Sequence, residues 1–284
     1  MIHIYCDGGL GNRLFLMVSA LCFAKEAGKK FIVHWPSNNW TGCYFTDLFD
    51  NKYNVSNFNI KFVDTHILER GNCTLLIHES QISHKENKIV INSAMSKDEI
   101  VKMMKSEPNI FYYSNQLHRG LDNYGDQVIE VINELQVSKQ IRNRISGYDV
   151  SDCIGIHHRG TDINKTPYIS KDEIEKEITN NPSQKYFICS DEKDVEDRFA
   201  KYDNVLRFKK QNYVEKLDPN GGWNKGIVDD VGRSFVFNVD RDKVSSIEGF
   251  CDMVLLAKCK SRLKTSGSSF LKCANLLSKT EIIK

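Results

Sequence analysis

Residues 2–35 read IHIYCDGGLGNRLFLMVSALCFAKEAGKKFIVHW, and this stretch predicts a complete strand–helix–strand unit. The apolar and aromatic run at 2–6 is typical of a buried strand, and a glycine-rich loop follows at 7–11. From residue 12 the apolar positions recur at helical spacing until Gly28, a residue type that commonly ends a helix. A second apolar run at 31–35 completes the unit. Two strands joined through a helix lie parallel in one sheet, so this stretch predicts an α/β fold.

The alternation of strands and helices continues along the chain. Further strands are predicted at 89–92, 109–113, 153–157, 185–189, 205–208 and 262–265. Helices are predicted after the capping boxes that start at Ser96 and Ser170, and over 123–135, 138–147, 191–200, 245–259 and 270–277. This pattern predicts two facing Rossmann-like halves, residues 1–147 and 148–284, with mainly parallel sheets. A ligand is expected at the carboxyl ends of the strands.

The composition is that of an ordinary folded protein. Of the 284 residues 40% are hydrophobic and 27% are charged, which is enough apolar surface to build a core. The net charge of +2 argues against a polyanion-binding protein and predicts no nucleic-acid partner. The longest apolar stretch, 14–24, is shorter than the roughly 20 residues of a transmembrane segment. Without a signal-peptide pattern either, we expect a cytoplasmic protein with reduced core cysteines, and no pattern predicts an oligomeric state.

The glycine-rich loop after the first strand is the first candidate for ligand binding. Gly9, Gly11, Asn12 and Arg13 lie where a helix begins, and glycines there let backbone N–H groups approach an anion. The loop lacks the Gly-Lys-Ser/Thr of a P-loop, and Leu14 stands where the dinucleotide fingerprint has a small residue. A tight structural turn is the alternative to an anion site.

A second candidate, residues 157–162 with the sequence HHRGTD, follows an apolar strand directly. Arg159 and Asp162 are therefore expected at the carboxyl end of that strand. A guanidinium grips two phosphate oxygens at once, which favours phosphate binding by Arg159. The structural alternative is an arginine–aspartate ion pair that braces the loop.

Other strand ends carry polar residues that fit either a ligand or a helix cap. Asp191 follows the strand at 185–189 and is suited to hold a hydroxyl-rich ligand or to cap the next helix. The serines at 266–269 precede the last helix, where they are suited either to bind a phosphate or to cap the N-terminus of that helix. For a metal the sequence offers only the D-x-D pattern at 240–242, which arises often by chance, and no histidine or cysteine cluster. We therefore predict no metal site.

Three short motifs together resemble the superfamily of GDP-fucose-dependent fucosyltransferases, which includes bacterial α1,2-enzymes, nodulation and α1,6-enzymes and protein O-fucosyltransferases. Residues 8–15 (GGLGNRLF) are similar to its N-terminal glycine-rich turn, and 156–162 (IHHRGTD) to its H-x-R-x-x-D signature. Residues 252–259 (DMVLLAKC), followed by the serines and phenylalanine at 268–270, are similar to its C-terminal motif. All three occur in the family's order, and the resemblance implies a GT-B fold.

The resemblance also implies an inverting, metal-independent transfer of fucose from GDP-fucose to a glycan hydroxyl, with the nucleotide sugar as substrate and no cofactor. Arg159 and Asp162 would be catalytic: Arg159 would hold the β-phosphate and stabilise the charge of the leaving group. His157 and Asp162 would shape that pocket, and Asp252 would receive the guanine edge. The full set of candidate nucleotide-binding residues is Gly9, Gly11, Asn12, Arg13, His157, Arg159, Asp191, Asp252, Ser268, Ser269 and Phe270.

The chain departs from the family's pattern at two points. Residues 163–167 (INKTP) lack the glutamate that follows the signature aspartate in the α1,6 branch, so the general base is unassigned. Residues 160–161 are Gly-Thr, where several branches have a double arginine. Two other functions stay open: a transferase of the same fold with another nucleotide sugar, and a non-catalytic module that binds sugar nucleotides or glycans.

Overall fold

A computed structural model of the chain describes residues 1–6, 8–50, 53–56, 74–78, 88–91, 96–107, 110–113, 125–160, 169–220, 227–228, 234–235, 238–264 and 268–283. The first sheet has six strands in the order β4–β2–β1–β7–β5–β6, and all neighbouring strands are parallel. Its strands are β1 (Ile2–Tyr5), β2 (Phe31–His34), β4 (Val55–Ser56), β5 (Thr74–His78), β6 (Lys88–Ile91) and β7 (Ile110–Tyr113).

The second sheet has four parallel strands in the order β11–β10–β9–β14. Its strands are β9 (Ile154–His158), β10 (Tyr186–Ser190), β11 (Val205–Arg207) and β14 (Ser261–Arg262). Two short antiparallel pairs complete the described strands: β3 (Phe49–Asp50) with β8 (Gln136–Val137), and β12 (Ile227–Val228) with β13 (Ser234–Phe235). The predicted α/β fold with mainly parallel sheets is thus confirmed.

Serine side chains begin several of the helices, as the sequence predicts. The α-helices of the described chain are α1 (Leu10–Glu26), α2 (Phe45–Leu48), α3 (Lys97–Ser106), α4 (Asp126–Asn133), α5 (Lys139–Ile145), α6 (Lys171–Asn180), α7 (Lys193–Phe199), α8 (Lys243–Lys258) and α9 (Ser269–Leu277). Both predicted capping boxes, at Ser96 and Ser170, are formed: each serine oxygen accepts from the backbone N–H three residues on, and the glutamate there bonds back.

Helix α1 is the centre of the core around the first sheet. It packs against α3, α4 and the C-terminal helix α9, and this burial on several sides accounts for its nearly continuous apolar sequence. It begins at Leu10, two residues before the predicted start, because Leu10 lies one helical turn before Leu14 and both are buried. Gly9 takes the N-cap position in an extended conformation.

The C-terminal helix α9 joins the two parts of the fold. It follows the second sheet, yet it packs on α1 as well as on α8. Arg262 ties strand β14 to the preceding helix: its guanidinium donates to the carbonyls of Leu256, Ala257 and Cys259 at the end of α8. Strand β14, Ser261–Arg262, is shorter than predicted, and residues 265–267 lie outside the described residues. The boundary at residue 147 remains a prediction.

Several features bear on the expectations from composition. The eight described cysteines are buried free thiols, and Cys73 lies outside the described residues. Within the described ranges, no helix combines the length and the apolar character needed to cross a bilayer. Asp162 and the stretch 163–167 also lie outside the described residues.

Candidate active site

A cavity of about 360 Å³ lies between the glycine-rich loop and the carboxyl ends of β9 and β10. It is lined from both parts of the chain. Nine of the candidate residues named from the sequence line it together: Gly9, Gly11, Asn12, His157, Arg159, Asp191, Asp252, Ser269 and Phe270. Residues more than 250 positions apart in the sequence thus converge on one space.

A hydrogen bond from the backbone to a side chain ties the loop after β9 to the end of β10. His158 and Ser190 are register partners at the ends of β9 and β10. The N–H of Gly160 donates to the Asp191 carboxylate at 2.9 Å. A Cβ atom at Gly160 would meet the Glu192 carboxylate, the far end of a flexible side chain that can move aside. Together these contacts fix the backbone on either side of Arg159.

His157 connects strand β9 to the beginning of α9. Its ring is stacked on Phe270, with ring centroids 4.6 Å apart, and its Nδ1 lies 3.4 Å from the Ser268 hydroxyl. Burial lowers the pKa of His157 well below its ordinary value, so the imidazole is neutral at physiological pH. Ser268 is the N-cap of α9 and accepts from the N–H of Leu271, which places Ser268 behind the cavity wall. His157 therefore forms part of the cavity wall, where it stacks on Phe270 and forms a hydrogen bond with Ser268.

A buried group of charges forms another wall of the cavity. The Lys210 ammonium contacts the carboxylates of Asp252, at 2.6 Å, and Glu196, at 2.5 Å, and donates to the Ser190 carbonyl at 2.6 Å. Burial alone would lower the pKa of Lys210, but the two carboxylates raise it overall, so the ammonium stays protonated. Burial raises the pKa of Asp252, and Lys210 opposes that rise. Burial has the larger effect, so the pKa of Asp252 lies above its ordinary value, and Lys210 keeps that pKa lower than burial alone would.

One oxygen of this group has no partner within the described chain. The Asp252 side chain is 3% exposed; its Oδ2 accepts from Lys210, whereas its Oδ1 accepts no hydrogen bond from the described residues. A buried acceptor without a donor is costly, by roughly 1–3 kcal/mol, and a bound ligand or water that donates to it would remove that cost. Since Asp252 lines the cavity, its Oδ1 is suited to receive an N–H or O–H group of a ligand.

Arg13, a candidate nucleotide-binding residue, does not line the cavity. Its side chain is fully buried, and its guanidinium donates to the Gly8 carbonyl at 2.7 Å, the Pro36 carbonyl at 2.5 Å and the Asn38 side chain at 2.8 Å. The guanidinium also lies over the Trp35 ring, 5.2 Å from its centroid. This part of the interpretation is corrected: Arg13 ties the glycine-rich loop to the segment after β2 and so shapes the cavity indirectly.

The D-x-D pattern at 240–242 has structural roles. Asp242 is the N-cap of α8, accepting from the N–H of Ser245 at 2.6 Å, and Asp240 forms a backbone bridge with Glu215. Among the described residues no group of three or more histidine, cysteine, aspartate or glutamate side chains is arranged to hold a metal ion. Arg241, between the two aspartates, lines the cavity.

Some of the cavity residues lie outside the motifs that the sequence analysis singles out. They come from the loop after β2 and from the polar segment 209–243, and include Trp40, Lys210, Tyr213 and Arg241. Lys210 is three residues past the end of β11, a position at the carboxyl edge of the second sheet. That placement is a signal of the kind that identified Arg159, but a lysine in a polar segment is ordinarily a solvated charge.

Gly11 lies where the glycine-rich loop meets the first turn of α9. A Cβ atom there would lie 2.7 Å from the Ser269 carbonyl carbon and 2.8 Å from the Phe270 nitrogen, closer than any real contact. We expect Gly11→Ala to lower the free energy of unfolding by about 1–3 kcal/mol, because backbone atoms must move to admit the methyl group. Chemical denaturation of the variant and the wild-type protein measures this difference in the free energy of unfolding.

The matched control is Gly9→Ala, two residues earlier in the same loop. A Cβ at Gly9 meets no atom within 4 Å, and the residue is the N-cap of α1, where alanine in place of glycine costs about 0.5–1 kcal/mol. Equal losses for the two variants would contradict the close approach of the loop to α9.

The fold of this chain is similar to that of solved fucosyltransferase structures. The NodZ alpha-1,6-fucosyltransferase crystal soaked with GDP-fucose is similar with a TM-score of 0.57 and 16% identity, over 97% of this chain and 91% of that chain. Fucosyltransferase NodZ from Bradyrhizobium is similar with a TM-score of 0.55 and 15% identity, over 97% and 92%. POFUT1 in complex with GDP-fucose gives a TM-score of 0.50 and 9% identity, over 98% and 95%.

At these identities the likeness shows a common fold, and the fold expected from the sequence resemblance is confirmed. No protein-family model matches the sequence, and no curated protein matches it either. Function must therefore be argued from the cavity and its residues.

Proposed function

We propose that the protein is an inverting, metal-independent glycosyltransferase that moves fucose from GDP-fucose to a glycan hydroxyl. The observation that carries the proposal is the cavity, which joins an arginine at a strand end to a buried carboxylate with one open acceptor oxygen. Its shape arises from a fold that the chain shares with solved fucosyltransferases. The three sequence motifs of the resemblance contain eight of the nine candidate residues that line the cavity.

The diphosphate fits the part of the cavity formed by Arg159 and the first turn of α9. Arginine binds phosphate oxygens through two parallel N–H groups, and a helix N-terminus offers unpaired backbone N–H groups and a partial positive charge. Ser269 and Phe270 are the first two residues of α9 and line the cavity. Arg241 also lines the cavity. This arrangement supports binding of the dianionic diphosphate of the donor and stabilises the further negative charge that develops as it leaves.

The guanine base fits the wall formed by Asp252. Guanine presents two adjacent donors, the N1–H and the N2 amino group, to a single carboxylate. Asp252 is buried, lines the cavity and has an oxygen that accepts no hydrogen bond from the described chain. A ligand with two donors therefore satisfies the group better than uracil, which presents one N–H between two carbonyls.

In the proposed reaction the acceptor oxygen forms a bond to the anomeric carbon of fucose as the bond from that carbon to the β-phosphate oxygen breaks. The electron pair leaves with GDP, and the acceptor proton passes to a base on the opposite face of the sugar. Arg159 and the N-terminus of α9 stabilise the charge that develops on the phosphate, the role that a metal ion has in other transferases. Attack opposite the leaving group inverts the anomeric centre.

Turnover of GDP-fucose by the purified protein tests the proposal. We expect release of GDP by slow hydrolysis without an acceptor and faster release with the right glycan, with GDP-mannose and UDP-sugars as poorer donors. Coupled detection of GDP measures each rate, and a screen of donors against acceptors identifies the glycan. Preference for a UDP-sugar would favour the alternative transferase, and tight binding without turnover would favour a non-catalytic module.

The same assay carried out with EDTA examines the proposed metal independence. The rate is expected to be unchanged, because an arginine and a helix N-terminus are placed to stabilise the leaving phosphate. Loss of activity with EDTA and recovery with Mn²⁺ would contradict this part of the proposal.

A further inference from the structure

We propose that Lys210 is a positioning residue for base selection: it keeps the Asp252 carboxylate ionised and aimed into the cavity, so that the site selects the two-donor edge of guanine. The inference rests on the proposed binding of a guanine nucleotide. It assigns to Lys210 and Glu196 a role that the sequence motifs do not include.

Lys210 is fully engaged within the protein and is not free to bind a ligand itself. Its side chain is 4% exposed, and its ammonium contacts three oxygens, on Asp252, Glu196 and the Ser190 backbone. An ammonium has three N–H donors, and here each has an acceptor. The ammonium also lies 4.8 Å from the centre of the Tyr213 ring. Lys210 therefore acts through its neighbours and not on a phosphate.

Glu196 is satisfied in the same way. Its side chain is fully buried; Oε1 accepts from the Ser190 N–H at 2.8 Å and contacts Lys210, and Oε2 accepts from the Tyr213 hydroxyl at 2.6 Å. When Asp252 is ionised, the two carboxylates and the one ammonium leave one negative charge in excess. Among the carboxylate oxygens of Glu196 and Asp252, Oδ1 of Asp252 is the one that accepts no hydrogen bond from the described residues. The excess charge and the open oxygen thus coincide where a ligand enters.

Ionisation of Asp252 decides which base fits. An ionised carboxylate accepts two N–H groups, the pattern of guanine, whereas a protonated carboxyl offers one donor and one acceptor, the pattern of adenine. Lys210 favours the ionised form. Burial favours the protonated form, and so do the carboxylates of Glu196, on α7, and Glu248, which is on α8 with Asp252. The buried Cys189 thiol on β10 also interacts with Asp252, which raises the pKa of that thiol. The opposing effects of Lys210 and Glu196 make the inference testable.

The experiment measures the Kd of GDP and of ADP over a pH range of roughly 5 to 9 by calorimetry. Both nucleotides carry the same diphosphate, so titration of the phosphates and of groups around them cancels in the ratio of the two Kd values. In the wild-type protein the preference for GDP is expected to fall as pH decreases and Asp252 takes up a proton. The pH at which half the preference is lost is the quantity compared.

Lys210→Met removes the cation, and we expect the loss of preference to move to higher pH by about 1–3 units. Glu196→Gln removes a neighbouring negative charge while keeping an acceptor for the Ser190 N–H, and the loss is expected at lower pH. Lys209→Met is the matched control, because Lys209 is the exposed neighbour in the sequence, and it is expected to leave the pH dependence unchanged. If Lys210 and Glu196 had purely structural roles, their substitutions would not move the pH at which the preference for GDP is lost in opposite directions.

Thermal unfolding of each variant shows whether it is folded. If Lys210→Met does not fold, the inference is tested by the direction in which Glu196→Gln moves the pH at which half the preference for GDP is lost. An unshifted or upward-shifted pH dependence in folded Glu196→Gln would overturn the inference while leaving guanine binding intact. Equal affinity of the wild-type protein for GDP and ADP at every pH would instead overturn the proposed guanine site. The two failures are therefore distinguishable.

Discussion

Arg159→Ala is expected to lower kcat/KM for the transfer reaction by about 10²-fold or more, a loss of ~3 kcal/mol of transition-state stabilisation. The guanidinium lies at the end of β9, on a loop held by the Gly160–Asp191 contact, and faces the cavity. Its proposed interaction strengthens as charge develops on the departing phosphate, so kcat is expected to fall more than KM rises. Steady-state kinetics with GDP-fucose and the identified acceptor measures both.

Two variants accompany this measurement. Arg159→Lys keeps the charge but loses the planar pair of donors, and it is expected to recover little of the activity. Arg142→Ala removes an arginine whose side chain is about half exposed on α5 and paired with Asp50, and it is expected to leave kcat/KM unchanged. A folded alanine variant at 159 that keeps more than about a third of the wild-type activity would refute the proposed role.

Asp252→Asn is expected to weaken GDP binding by about 1–3 kcal/mol, or roughly 5- to 150-fold in Kd, while UDP binding stays poor. The asparagine side chain has one acceptor oxygen and one NH₂ group, so it cannot accept both guanine donors. Its NH₂ group would also face either guanine or the Lys210 ammonium, and both are donors. Calorimetry with GDP and UDP gives the two Kd values.

The control for this substitution is Asp203→Asn, an exposed position on the turn before β11. It removes the same charge, and GDP affinity is expected to be unchanged. If folded Asp252→Asn binds GDP as the wild-type protein does, the guanine contact lies elsewhere and the interpretation of the motif at 252–259 fails.

Local patterns in the sequence predicted much of the fold. The period of apolar residues in 2–35 gave strand, helix and strand, and the structure has β1, α1 and β2 there within a few residues. The capping serines gave helix starts because a cap involves residues only three apart. Placement at strand ends also brought Arg159 and Asp191 to the cavity, because the carboxyl ends of parallel strands meet at one edge of a sheet.

The sequence could not show contacts between residues far apart in the chain. Arg13 and Arg159 both follow a β-strand within motifs that contain glycine, yet Arg13 donates to the carbonyls of Gly8 and Pro36, whereas Arg159 lines the cavity. Likewise Asp242 caps a helix, whereas Asp252, on the same helix α8, meets Lys210 from a separate segment. Short-range order fixes which residues form strands, turns and caps. Only the packing of α8, α9 and the second sheet determines which charges are buried together and which acceptor is left open, because burial and ion pairing depend on the folded surroundings of each side chain.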